Sequence, residues 1–548
     1  MKKFVLFNLL LMFVLASFAQ PNSVKNVILM IPDGTSTSLL SVARWYQEYQ
    51  NPSQNTLNID SFIKGLACTY ASDAPIGDSA PTTSCYMTGY PTQTSFVSTY
   101  PVKTDHDLVP VDATRAYQPL TTLIEAAKQL KNKATGLVFT CEFPHATPAD
   151  CAAHSYKRDE YKWIAPQMVH NNMDVVIGGG VSFLKEEDQN YLKGEGYGLY
   201  LNDYQGMRSC QNAPMWALYN EASMPYELER DPATTPSLAE MTQKAIDLLS
   251  AKPEGFFLMV EGSKIDWAAH DNDAISAITD FIAFDKACRV AFDFAQKDGH
   301  TLVIVLPDHG TSAITIGSAK SNHGYDRLSL QQIMEPLTDC KLSLRSMTDK
   351  LKNADTTQWP ELFQKYFNIE LQPAEMDFLQ MASDNDKSNL PKESRRNNLS
   401  MVKMLSQIIY GRTYIGFTTF GHTGENVFYA MYHPDGQELT GVHTNVEIHQ
   451  YMRQQLGLAD DDLDKLTAAN FADYREVFDG YSCTVDSLSP SHYRLTVKNK
   501  KNTLVADSYS NIITVNKQTY KTVSPIIYFP INQTFYVPKK LADYLLQK

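Results

Sequence analysis

An α/β fold, doubly wound around a mostly parallel central sheet with helices on both faces, is predicted by three features of this 548-residue chain. Several short apolar runs lack the alternation of a half-exposed strand. Stretches with helical spacing lie between them. Three of the runs end in acidic residues.

The runs are Asn26–Ile31 (NVILMI), Thr135–Phe139 (TGLVF), Asp174–Ile177 (DVVI), Phe256–Val260 (FFLMV) and Thr301–Leu306 (TLVIVL). Uninterrupted apolar runs suit strands covered on both faces, as in a parallel sheet. Leu120–Leu130, Leu238–Leu249 and Ile275–Gln296 carry the helical patterns. Strand alternating with helix is the pattern of a doubly wound sheet. Between His309 and His422 the rhythm breaks, and Leu342–Ser383 is polar and helix-like. This marks a helical insertion at about 325–405, folded over one rim of the sheet. After the helix-like HQYMRQQLGL (His449–Leu458), the segments YRLTVKN, NIITVNK, SPIIYFPI and QTFYVP read as strands broken at Pro and Asn. The expected division is a signal peptide at 1–19, a catalytic domain at 20–474 and a C-terminal β-rich region at 475–548.

Composition narrows the function. With 43% hydrophobic and 20% charged residues the chain is globular rather than disordered. A formal charge of −13 argues against a nucleic-acid-binding surface, because phosphate contacts need Lys and Arg. Lys2 and Lys3, the apolar Phe4–Phe18 and the small-x-small Ser17-Phe18-Ala19 read as a secretory signal peptide. The expected location is therefore periplasmic or extracellular. No later stretch is apolar and long enough to span a membrane. The eight cysteines contain no CxxC; export permits disulfides, but sequence does not choose among the pairings.

The chemistry sits at the strand ends. NVILMI is followed by Pro32-Asp33-Gly34, FFLMV by Glu261-Gly262, and TLVIVL by Pro307-Asp308-His309-Gly310. In open α/β sheets the site lies beyond the carboxyl ends of the strands, so these acids are expected to converge. Asp266 and His270 are spaced i,i+4 and share one face of a helix. His422 stands in Phe420-Gly421-His422-Thr423-Gly424. Each feature alone fits a helix cap or a loop residue. Together, four carboxylates and three imidazoles in one crevice demand cations, because like charges otherwise raise one another's pKa values. Mixed Asp/His sets favour Zn²⁺ and oxygen-only sets favour Mg²⁺, so more than one metal is expected.

The nucleophile candidate is Ser79 in Gly77-Asp78-Ser79-Ala80-Pro81-Thr82-Thr83-Ser84, ahead of a helical CYMTGY. Asp78 or Ser79 could equally cap that helix, and Thr82 and Thr83 are alternative hydroxyls. A Ser at a helix N-terminus beside a metal can lose its proton and face an anion. A further patch holds His145, Thr147 and Arg158. Thr147 offers a neutral oxygen suited to Mg²⁺, and the Arg158 fork matches phosphoryl oxygens.

At this point the chain resembles the alkaline phosphatase family of metal-dependent phosphomonoesterases. The matching stretches are VILMIPDG, GDSAPTTSCYMTG, HATPADCAAHSYKR, EGSKIDWAAH, LPDHG and FTTFGHTGENV, in the family's order. They span most of 25–460 apart from the helical insertion. The resemblance implies that Ser79 is the phosphorylated nucleophile and that Arg158 binds phosphate, with the Ser79 N–H. It gives one zinc to Asp266, His270 and His422, and a second to Asp33, Asp308 and His309. It gives magnesium to Asp33, Thr147 and Glu261, with Asp33 bridging. It places His145 and Trp267 near magnesium and substrate, at positions that vary within the family. Pro81 and Thr82-Thr83-Ser84 replace smaller residues more usual there. The implied activity is release of inorganic phosphate from small phosphate monoesters. A related two-metal hydrolase of diesters or sulfate esters is the nearest alternative, and a metal- or phosphate-sequestering surface protein is a more distant one. The insertion and the C-terminal region have no assignable counterpart. Limiting substrate size, supporting a homodimer and contacting the cell surface all stay open as their roles.

Overall fold

The computed structural model describes residues 24–387 and 400–546; the expected signal peptide lies outside the described residues. Ten strands form the central sheet. In spatial order they are Gly441–Thr444, Ile63–Cys68, Val427–Tyr432, Thr301–Val305, Asn26–Ile31, Phe256–Glu261, Ala134–Glu142, Val175–Gly179, Met215–Tyr219 and Gly198–Leu201. Val427–Tyr432 runs against both neighbours, and the other pairings are parallel.

The five apolar runs of the sequence are five of these strands, four of them consecutive at the centre (Thr301–Val305 through Ala134–Glu142) and the fifth, Val175–Gly179, next to them. Their side chains alternate between two cores. Ile28, Met30, Leu258, Val260, Val303 and Val305 join one apolar cluster. Val27, Leu29, Ile31, Phe257, Met259 and Ile304 join the other. Both faces being covered, no polar alternation could appear in the sequence. Helices Thr37–Gln50, Leu238–Leu249 and Ala274–Asp298 cover the first face. Helices Ser79–Thr88, Leu123–Lys131, Ala146–Ala152, Tyr161–His170 and Asn445–Gln455 cover the second.

The region between the two histidines is helical, with helices Leu330–Thr338, Leu344–Lys352, Trp359–Phe367, Pro373–Lys387 and Met401–Tyr410. Leu344, Trp359 and Phe363 extend the first core. The same helices grip the turn that follows His270. Arg345 pairs with Asp271 at 2.6 Å, the Ser406 hydroxyl donates to the Asn272 carbonyl at 3.2 Å, and Tyr410 donates to Asp273.

The chain ends in antiparallel strands. Ala472–Asp473, Thr534–Val537 and Ile527–Phe529 form a three-stranded sheet, and Ser482–Lys521 forms a five-stranded meander. Phe478, Leu495, Val497, Phe535 and Leu541 make a separate apolar cluster beneath them. Asn511 ties this part to the main body through His170 and Tyr191. All eight cysteines are unpaired thiols. Among the described residues no helix is long and apolar enough to cross a membrane.

Phe257 is fully buried in the central strand. Phe257→Ala should lower unfolding stability by about 3–5 kcal/mol, the sum of lost transfer energy and cavity. Denaturant titration of the metal-loaded protein measures it, and a loss under about 1 kcal/mol would contradict a covered central strand.

Candidate active site

Register brings the acids together. Ile31 lies opposite Glu261, and Met30 lies opposite both Val260 and Val305. Asp33 and Asp308 follow within three residues of those strand ends, so the three carboxylates leave the sheet at one edge. Glu261, Asp33 and Asp308 are fully buried. Gly34 makes the next turn at φ +63°, and its N–H donates to Asp308 at 3.0 Å. A Cβ at Gly34 would stand 2.3 Å from an Asp266 carboxylate oxygen, so glycine is required there for both its backbone and its size.

Two nitrogen-and-oxygen sets face this edge. Asp266, His270 and His422 offer donor atoms within 4.8 Å of one another, and so do Asp33, Asp308 and His309. In the first set His270 Nε2 is 3.5 Å from Asp266 and 3.0 Å from His422 Nε2. In the second, His309 Nε2 is 3.4 Å from Asp33 and 3.6 Å from Asp308. Bonds of zinc length at tetrahedral angles separate donors by about 3.3–3.4 Å. The remaining ring nitrogens are held elsewhere: His270 Nδ1 by the Phe420 carbonyl at 2.8 Å, His422 Nδ1 by the Gly77 carbonyl at 2.9 Å. Such second contacts fix the tautomer that leaves Nε2 free to coordinate. Thr311 steadies Asp266 with a 2.7 Å hydrogen bond.

An oxygen-only set adjoins them. Asp33 Oδ2, Thr147 Oγ1 and Glu261 Oε1 are buried without a hydrogen-bond partner, as is Asp308 Oδ2. Orphaned buried oxygens are costly, and a hard cation is the partner they fit. The three sets thus suit two ions with nitrogen and oxygen donors and one with oxygen donors.

Ser79 opens helix Ser79–Thr88, and its Oγ lies 3.3 Å from His309 Nε2 and 3.4 Å from Asp33. Asp78 makes no side-chain cap on this helix. Its carboxylate instead receives Arg158 Nη1, while Arg158 Nη2 lies 3.3 Å from His145 Nε2. The guanidinium is thus anchored to the residue next to Ser79, with further N–H groups in hand. His145 meets Trp267 edge to face at 5.6 Å.

Residues 24–458 match the family model for alkaline phosphatase. The chain belongs to the alkaline phosphatase family. Alkaline phosphatase 3 of Bacillus subtilis is 31% identical over 440 residues, covering 78% of this chain and 88% of that protein. The human tissue-nonspecific alkaline phosphatase is 30% identical over 345 residues, covering 53% and 63%. A cold-active alkaline phosphatase from Shewanella superposes with a TM-score of 0.65 at 26% identity, covering 79% of this chain and 99% of that one. The Thermus thermophilus alkaline phosphatase shares the fold, with a TM-score of 0.68, at 24% identity and 82% and 96% coverage. As a member of the alkaline phosphatase family, the chain is a phosphomonoester hydrolase.

Electrostatics divide this family site in two. Burial pushes the Asp33 carboxyl well above the ordinary range, reinforced by Asp308, Asp266 and Glu261. Burial likewise lifts Glu261 to about 8. Burial also works against Asp266, but His270, His309 and His422 outweigh it and hold it at about 2. Burial, with Arg158 adding to it, lowers His145 to about 3, so its ring is neutral.

The twelve residues given site roles in the sequence gather at this edge, while the alternative hydroxyls Thr82 and Thr83 are buried within helix Ser79–Thr88. The sequence reading missed three neighbours. Asp78 was readable only as a cap, although an acid beside the nucleophile is a natural counter-charge for Arg158. Thr311 follows LPDHG directly. Cys141, at the end of the TGLVF run extended, donates to Glu261 at 3.4 Å.

Gly34→Ala should displace Asp266 and cost the protein one bound metal ion. Metal analysis after dialysis reads this, and full retention of metal would contradict the close packing at Gly34.

Proposed function

We propose that this family member is an exported phosphomonoesterase that works through a phosphoserine on Ser79, at a site of two zinc ions and one magnesium ion. Asp266, His270 and His422 would hold one zinc, and Asp33, Asp308 and His309 the other. Asp33, Thr147 and Glu261 would hold magnesium. The observation that carries the reading is the Ser79 hydroxyl, 3.3–3.4 Å from donors of a charge-starved set of carboxylates and imidazoles.

When bound, the metals supply positive charge beside the Ser79 oxygen and the departing ester oxygen. Ser79 Oγ gives its proton to water and, as the alkoxide, attacks phosphorus in line. The Oγ–P bond forms as the ester P–O bond breaks, and the alcohol takes its proton from water. Water then attacks phosphorus from the vacated side, the P–Oγ bond breaks, and phosphate leaves. Arg158 offers N–H groups to the non-bridging oxygens, where most of the catalytic stabilisation of phosphoryl transfer lies. Asp78 keeps the guanidinium aimed. His145 and Trp267 wall the phosphate side, and the neutral His145 ring adds no charge.

Export rests on the leader pattern of residues 1–19. The proposed division places the catalytic domain at 20–474, with the helical insertion inside it, and a β-rich unit at 475–548. The separate C-terminal core and a family match ending at residue 458 support that division. The paired strand Ala472–Asp473 stitches the two parts together.

Steady-state rates on a monoester, a diester and a sulfate ester with one shared leaving group test the reading. The monoester should be fastest, because its three non-bridging oxygens leave two for the Arg158 fork and one for the metal side, whereas a diester has only two in all. Ser79→Ala should retain metals but form no phosphoenzyme. A faster diester, or a phosphoenzyme on Ser79→Ala, would overturn it.

A further inference from the structure

Cys141 stands apart from the other buried thiols. Cys151 and Cys340 donate to backbone carbonyls four residues back, at 3.7 and 3.5 Å. Cys141 is fully buried and points at a carboxylate, Glu261 Oε2, at 3.4 Å. Its backbone N–H and that of Thr140 donate to the Ser263 hydroxyl, at 3.0 and 3.2 Å, which fixes the strand end against the Glu261 turn. Cys141, His145 and Glu261 offer a sulfur, a nitrogen and an oxygen within 4.8 Å of one another. Two of those residues present orphaned buried atoms, His145 Nδ1 and Glu261 Oε1.

We propose that Cys141, His145 and Glu261 form a soft-donor cation site that shares the Glu261 carboxylate with the neighbouring oxygen site. Bonds of about 2.3 Å to sulfur and 2.1 Å to oxygen at a tetrahedral angle place those donors about 3.6 Å apart, close to the separation here. Thiolate selects thiophilic ions such as Zn²⁺ or Cd²⁺, whereas Mg²⁺ takes oxygen donors. As the metal–sulfur bond forms, the thiol proton leaves to water. One carboxylate then serves two alternative ions, so the position discriminates between a hard and a soft cation. The inference rests on the three-ion reading only for the identity of the competing ion.

Cd²⁺ titration of the zinc-loaded enzyme, read by the thiolate-to-cadmium charge-transfer band, tests it. The exposed Cys68 is replaced by Ser in the background used. The band should appear, fall as Mg²⁺ is added, vanish in Cys141→Ser and Cys141→Ala, and persist in Cys151→Ser. Cd²⁺ affinity should fall at least about tenfold in the Cys141 variants, since a direct ligand outweighs an outer partner. Cadmium NMR of the Cys68→Ser protein, with Cys141 intact, reports sulfur ligation without relying on a Cys141 variant's folding. Absence of a Cys141-dependent band and of a sulfur-ligated cadmium signal would overturn the proposal. So would a band left at full height by bound Mg²⁺. Metal analysis separates the two readings: bound Mg²⁺ without sulfur ligation defeats this inference alone. Absence of bound Mg²⁺ counts against the three-ion reading, while the band still decides this one.

Discussion

Concentrated negative charge without solvent is the constraint on which this molecule is built. Asp33, Glu261 and Asp308 are fully buried, and Asp266 is nearly so, at one edge of the sheet. Water cannot screen them, and one another's fields raise the cost of ionising. Imidazoles relieve only the side near Asp266. Asp33 Oδ2 and Glu261 Oε1 have no hydrogen-bond partner that would stabilise their charge. The protein therefore holds a preformed deficit of positive charge, and that deficit is what makes it a cation trap.

The fold supplies the deficit cheaply. Parallel strands run in one direction, so all the strands of the sheet except Val427–Tyr432 end at the same edge. Two apolar cores, one on each face, lock the register in which Ile31 meets Glu261 and Met30 meets Val305. The stability of the cores thus sustains a site that would not assemble by itself. The insertion helices brace the turn after His270 through Asp271 and Asp273. They help to position a metal-facing histidine as well as enlarging one core.

Much of this was legible in the sequence. The runs NVILMI, FFLMV and TLVIVL announce covered strands because their neighbours on both faces are apolar. The acids after them announce a shared edge because parallel topology leaves nowhere else for them to go. What stayed hidden depends on pairings across the chain. Asp78 looks like a helix cap until Arg158 is seen to occupy its carboxylate. Cys141 looks like one more apolar strand residue until Glu261 faces it. Strand limits also shifted: the run read as Thr135–Phe139 continues to Glu142, where Glu142 still pairs with Gly179 of the neighbouring strand past a register irregularity. Export is a reading of residues 1–19, outside the described residues, and cation identity is a reading of donor types.

The most direct test is X-ray absorption at the zinc edge on the purified enzyme, combined with metal counting. Two zinc ions about 3.5–4 Å apart, each with nitrogen and oxygen neighbours, are predicted. A single zinc environment with no metal neighbour, or a fully active protein without zinc, would contradict the cation trap at Ser79.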